Sequence, residues 1–234
     1  EELKVAFSDE GEIARSIAKY VEGEVVVTPT PARVSEESPD VLIHTMESDT
    51  DRRSMWNTNV WYALSLARVA NKLGAVNVYL STYMVFDGTK GMYSETSVPS
   101  PLNYYGMTKL MGEVAIMSLG NYLVLRLGQV ITRGFFKGII RSLISRGIAK
   151  CNEDFYLSPL NFRELGYAVW SLIKKGARGV VNVGGKRVSQ VRVCESLAEA
   201  FGGEVISVRG GYRDFSLDDW LLRSYGITVR GLEV

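Results

Sequence analysis

Val76-Asn77-Val78-Tyr79-Leu80 leads directly into Ser81-Thr82-Tyr83-Met84-Val85-Phe86-Asp87-Gly88-Thr89-Lys90-Gly91. Shortly afterwards Pro101-Leu102-Asn103-Tyr104-Tyr105-Gly106-Met107-Thr108-Lys109-Leu110 opens an amphipathic run that stops at Gly120. The first segment is a short apolar run of strand length, and the last has helical spacing, predicting a helix over 103–119. The same alternation extends outward in both directions. Val5-Ala6-Phe7, Val25-Val26-Val27, Val41-Leu42-Ile43, Leu123-Val124-Leu125 and the run from Val180 to Val183 read as strands. Helices are predicted over 12–20, 55–73, 135–144, 165–173 and 191–201. Pro29, Pro31 and Pro39 predict a loop between the second and third strands. Continuous apolar strands are buried on both faces, and intervening helices make right-handed crossovers. The fold class is therefore α/β, a doubly wound parallel sheet of Rossmann type.

The chain has 234 residues, 46% of them hydrophobic, which is enough for a sizeable core. No shift in composition marks a linker, so residues 1–234 read as a single domain. Roughly 1–130 form the Rossmann core, and 131–234 mix core with a small C-terminal lobe facing substrate. A net charge of +1 gives no electrostatic reason for nucleic acid or an anionic membrane as partner. No signal peptide is visible, and no apolar run reaches the ~20 residues of a membrane helix, so the expected location is the cytoplasm. Cys151 and Cys194 have no metal-ligand spacing and read as free thiols in a reducing compartment, and no metal site is assigned. Only two glutamines, Gln129 and Gln190, are present, a composition that points to a heat-adapted source.

Tyr105 and Lys109 are four apart on a predicted helix and share one face. An ammonium beside a phenol favours the phenolate, lowering a pKa that starts near ~10. Such a tyrosine exchanges a proton with a carbonyl or alcohol oxygen. Thr82 stands just past the carboxyl end of a strand, where open parallel sheets bind ligands, and its hydroxyl can bond the same oxygen. The trio suits hydride transfer to a ketone, where negative charge grows on oxygen.

The run from Ser81 to Glu113 resembles the signature block of the dTDP-4-dehydrorhamnose reductases, extended short-chain dehydrogenases/reductases. That block reads Ser-Thr-Asp-Tyr-Val-Phe-Asp-Gly and then Pro-Leu-Asn-x-Tyr-Gly-x-x-Lys-x-x-Gly-Glu. Supporting similarities lie at Asp40-Val41-Leu42-Ile43, Ser158-Pro159, Glu164-Leu165 and Ser216-Leu217-Asp218. The resemblance implies an NADP(H)- or NAD(H)-dependent oxidoreductase that reduces a 4-keto nucleotide sugar in dTDP-rhamnose biosynthesis. It makes Thr82 the catalytic hydroxyl, Tyr105 the general acid and Lys109 the activating lysine, which also holds the nicotinamide ribose. Ser8, Gly11, Ala14 and Ser81 fall at cofactor-binding positions, and Asn59 at a structural one. Gln129 stands where many relatives have a tryptophan near the sugar. Arg213 is a further candidate for the substrate diphosphate, as are Arg133, Lys137 and Arg141, with Phe135-Phe136 a candidate cleft lining. A homodimer through the helices at 55–73 and 103–119 is also implied.

The cofactor loop departs from that pattern. In place of Gly-x-x-Gly-x-x-Gly stands Ser8-Asp9-Glu10-Gly11-Glu12-Ile13-Ala14. A carboxylate ~4 Å from a phosphate costs about 1 kcal/mol in water and about 4 at an effective dielectric near 20, roughly a tenfold to thousandfold loss of affinity. Asp9 and Glu12 have the spacing of a capping box, which would satisfy the helix end in place of phosphate. His44-Thr45-Met46-Glu47 stands where the family has small residues, and His44 reads as a packed strand-end residue without a partner. Two readings remain: an active reductase, or a non-catalytic relative that acts as a regulatory subunit bound to another protein.

Overall fold

The computed structural model describes residues 2–232, apart from the side chains of Arg133 and Phe135. The first half of the chain runs β1 (Leu3–Phe7), α1 (Glu12–Ala18), β2 (Gly23–Val27), α2 (Pro31–Glu37), β3 (Val41–His44), α3 (Arg52–Trp56), α4 (Ala63–Lys72), β4 (Val76–Thr82), α5 (Tyr104–Met117) and β5 (Tyr122–Leu127). The second half runs α6 (Arg133–Arg146), β6 (Ile148–Asn152), β7 (Phe155–Leu157), α7 (Phe162–Lys174), β8 (Gly179–Val183), β9 (Val188–Ser189), α8 (Gln190–Phe201), β10 (Glu204–Val208), β11 (Arg213–Asp214) and α9 (Trp220–Ser224).

The described residues form a central six-stranded sheet in the order β2-β1-β3-β4-β5-β8, every neighbouring pair parallel. Its strands are apolar because helices cover both faces. On one side Ile17 of α1 and Leu165, Val169 and Leu172 of α7 join Val5, Ile43, Leu123 and Val181 in one cluster. On the other, Val34 of α2 and Leu66 and Ala70 of α4 pack on Ala6 and Leu42. The order reverses between β1 and β3, and a crevice opens there at the carboxyl ends of the strands. The remaining strands build small outlying sheets, β10 beside β6 and β11-β7-β9. Among the described residues no helix is long and apolar enough to cross a membrane.

Three local expectations are corrected. The proline-rich connection is not a loop throughout, since Pro31–Glu37 is helical. Proline is tolerated in the first helical turn, where its missing N–H has no intrahelical role, and the Thr30 side chain caps the helix by accepting from Arg33 N at 3.2 Å. The helix expected over 55–73 is interrupted, because Asn57–Tyr62 widens into a π turn. The wider turn accompanies a bond from the Tyr79 hydroxyl to the Asn59 carbonyl at 2.7 Å. Finally, Cys151 and Cys194 are not free thiols but a disulfide. Packing of α8 on β6 brings their Cα atoms to 6.6 Å, in a buried apolar cluster with Leu143 and Ala149.

Candidate active site

The crevice is a cavity of about 790 Å³. Its walls come from the turn after β1 (Asp9, Gly11, Glu12), the segment after β3 (His44, Thr45, Glu47, Asp49), the end of β4 (Ser81, Thr82, Tyr83), the face of α5 (Tyr105, Lys109) and the end of β5 (Gly128, Gln129). Thr82, Tyr105 and Lys109 thus line one cavity although they come from a strand end and a helix. The approach of α5 to β4 depends on two glycines. A Cβ at Gly106 would overlap the Met84 carbonyl, and one at Gly112 would overlap the Tyr79 hydroxyl. Behind the wall, Glu113 of α5 and Arg126 of β5 form a buried two-pronged pair at 3.0 and 2.9 Å, and the Ser81 hydroxyl donates to the same carboxylate at 2.5 Å.

Glu47 joins Tyr105 to Lys109. Its Oε2 accepts from the Tyr105 hydroxyl at 2.8 Å and from Lys109 Nζ at 3.2 Å. Lys109 has a side chain only 3% exposed, while that of Glu47 is 39% exposed. This overturns the expectation that Lys109 lowers the Tyr105 phenol. Burial, together with the Glu47 charge and hydrogen bond, pushes Tyr105 well above its ordinary value. Burial opposes ionisation of Glu47, but the Lys109 charge and the two donors hold its carboxyl below the usual range.

His44 is buried and does have a partner. Asn77 Nδ2 donates to the Ala67 carbonyl, so its Oδ1 is free to accept, and His44 Nε2–H donates to it at 2.9 Å. Nδ1 is then an acceptor with no protein partner among the described residues. Burial first, and the Lys109 charge as well, lower the imidazole to about 4, so it is neutral at pH 7.

The loop after β1 also differs from expectation. No capping box forms at α1. Gly11 is the N-cap and makes no side-chain bond. Asp9 instead accepts from the Thr45 hydroxyl at 2.7 Å, because β3 brings that residue alongside the loop. Ser8 and Ala14 do not reach the cavity. Ser8 is buried, and its hydroxyl accepts from the amides of Thr45 and Met46, both at 2.9 Å. Ala14 faces inward from α1 into the core. Ser81 lines the cavity, although its hydroxyl is engaged by Glu113.

Gln129 lines the cavity and accepts from the Tyr83 hydroxyl at 2.7 Å. Arg213 does not reach it. The residue lies on β11 in the outlying sheet, is exposed, and donates to the Tyr212 carbonyl at 3.0 Å. Arg141 borders a separate hollow along α6 with Ser142 and Arg146. The side chains of Arg133 and Phe135 lie outside the described residues. Among the described residues no group of three or more His, Cys, Asp or Glu is placed to hold a metal. Sequence reasoning missed Glu47 and Asp49. The available signal was the two carboxylates in the segment directly after β3.

A family model described as RmlD substrate binding domain matches residues 31–202. The chain belongs to this family. Among relatives, the chain is 29% identical over 199 residues to a dTDP-4-dehydrorhamnose reductase of Burkholderia thailandensis, covering 74% of this chain and 66% of that protein. It is 45% identical over 83 residues to methionine adenosyltransferase 2 subunit beta of Rattus norvegicus, covering 36% of this chain. That match spans 23% of the rat protein's length. In fold the chain is similar to dTDP-4-dehydrorhamnose reductase of Bacillus anthracis, solved in complex with NADP. The TM-score is 0.86 at 20% identity, with 99% of this chain and 96% of that one covered. The RmlD-family block from Ser81 to Glu113 is the part of this chain that brings the trio into the cavity.

Proposed function

We propose that this chain is a nicotinamide-dependent reductase acting on a keto group of a nucleotide sugar. The observation that carries the reading is the convergence of Thr82, Tyr105 and Lys109 on one cavity at the carboxyl ends of parallel strands. Tyr105 is the proton donor. Its phenol is protonated at pH 7, as proton donation requires. The Thr82 hydroxyl holds the oxygen that becomes the alcohol, and Lys109 stabilises the phenolate left after proton transfer.

A bound NADPH or NADH would supply the hydride, and the cavity offers it a partial fit. Gly11 leaves the first-turn amides of α1 without a side-chain cap, and Gly11, Glu12 and Ile13 line the cavity, as a pyrophosphate site requires. Asp9 bonds the Thr45 hydroxyl through one oxygen but still lines the cavity beside Gly11, which is where the fit is incomplete, and Glu12 is exposed. Nothing at the tip of β2 selects between NADP and NAD, so both belong in the test. Exposed Trp61 in the π turn before α4, with Met107, Met111 and Val114 on α5, supports a homodimer through these helices, which light scattering would check.

Calorimetric titration with NADPH and NADH, followed by turnover on 4-keto sugar nucleotides, tests the reading. Tyr105→Phe should abolish turnover while leaving the fold intact, and unchanged turnover would refute it. One observation favours the second reading, a non-catalytic subunit: Glu47 already neutralises Lys109. The match to a methionine adenosyltransferase subunit is consistent with that reading. Failure of the wild type and its Glu47 variants alike to bind either dinucleotide at millimolar concentration, with a persistent stoichiometric complex in extract, would favour it.

A further inference from the structure

Two departures from the family pattern, Ser8 and Glu47, act on the same segment. The Ser8 hydroxyl accepts from the amides of Thr45 and Met46. On the far side Asn59 grips Ser48 twice, accepting from its N–H at 2.9 Å and donating to its carbonyl at 2.8 Å. The backbone is therefore held on both sides of Glu47, and the freedom left belongs to the Glu47 side chain, which reaches solvent. That side chain places one oxygen between two donors, the Tyr105 hydroxyl and the Lys109 ammonium. A carbonyl oxygen awaiting a proton from Tyr105 needs the same place, and so does a ribose hydroxyl bound to Lys109.

We propose that Glu47 is a specificity-determining residue: its carboxylate is an internal occupant of the oxygen seat between Tyr105 and Lys109, and a ligand takes that seat only by turning Glu47 toward solvent. The proposal rests on the reductase reading. The chemistry of the displaced group then selects the ligand. Asp9, Glu12, Asp49 and Glu47 line the cavity, and Lys109 is the one lysine or arginine lining it among the described residues. A phosphate or carboxylate brought to the seat meets the Glu47 carboxylate at close range and is repelled. A neutral group rich in hydroxyls, such as a keto sugar or a ribose, can donate to the displaced carboxylate instead. The seat therefore admits a neutral oxygen-bearing group. Ser8 takes part as a positioning residue, because its hydroxyl shapes the backbone that presents Glu47.

The test is calorimetric titration of NADPH into the wild type, Glu47→Ala, Glu47→Gln and Asp49→Asn, with thermal melts to verify folding. Removing a charge-assisted competitor should tighten binding to Glu47→Ala by about tenfold to a hundredfold. Glu47→Gln keeps a neutral acceptor for Lys109 and should tighten it by about threefold or more, which decides the matter if the alanine variant does not fold. Asp49→Asn removes the same charge from the same wall without touching the seat, and should change affinity by less than about threefold. Binding to Glu47→Ala alone would support the proposal outright. A wild type that binds no more weakly than the Glu47 variants, or an Asp49→Asn variant that matches them, overturns the proposal and leaves the reductase reading standing. Absence of binding in every folded variant overturns both.

Discussion

Reducing the Cys151–Cys194 disulfide should loosen the outlying lobe and lower thermal stability by an amount that follows from its place in the chain. The bond joins β6 to α8 and closes a loop of 43 residues. Loop-closure entropy for that length corresponds to about 4 kcal/mol at 25 °C. For a chain of this size each kcal/mol moves the midpoint by about 2–4 °C, so the expected fall is about 8–16 °C. Both sulfurs are buried with Leu143 and Ala149 in a cluster separate from the main sheet core. The loss should therefore begin in the lobe formed by α6, β6, α8 and β10. Scanning calorimetry of the oxidised protein, of protein reduced in denaturant and refolded, and of Cys151→Ser/Cys194→Ser would measure it. A thiol assay in denaturant without reductant should find no free cysteine. Two reactive thiols in that assay would refute the pairing. A midpoint that does not move on reduction would refute the loop-entropy argument.

Two further outcomes are expected. Arg126→Met leaves the Glu113 carboxylate buried and without its guanidinium, which should cost about 3–5 kcal/mol in urea unfolding, whereas Arg126→Met with Glu113→Leu should recover much of that. A cost below about 1 kcal/mol for the single variant would contradict the buried-pair argument. His44 titrates at about 4 in the folded chain against an ordinary 6.5, so between these values the unfolded chain binds the proton that the folded chain refuses. Stability is then intact at pH 7 and falls by about 3 kcal/mol as pH drops from 6.5 to 4, a loss that His44→Asn should remove from the pH profile of the urea midpoint. An identical profile in the variant would assign the acid sensitivity elsewhere, with Glu47 the next group to test.

The sequence by itself determined the parallel sheet and the placing of Thr82, Tyr105 and Lys109 at strand end and helix face. Val41-Leu42-Ile43 and Leu123-Val124-Leu125 are apolar at every position, and only burial on both faces makes such strands favourable. Tyr105 and Lys109 share a helical face through spacing alone, and Thr82 follows from its place at a strand end. Local rules misled where the context of one residue decided the outcome. The prolines at 29–39 read as a loop, yet Pro31 sits in the one helical turn that tolerates it. Other features depended on distant parts of the chain. Glu47 meets Tyr105 across 58 positions and Lys109 across 62, a meeting set by the adjacency of β3 and β4 and by the close approach of α5. Asp9 caps nothing because Thr45, 36 positions on, takes its carboxylate. The cysteines pair because α8 folds back over β6. Periodicity records which face of an element is buried, whereas a charge placed between two donors depends on the relative placement of three elements, which only the tertiary structure decides.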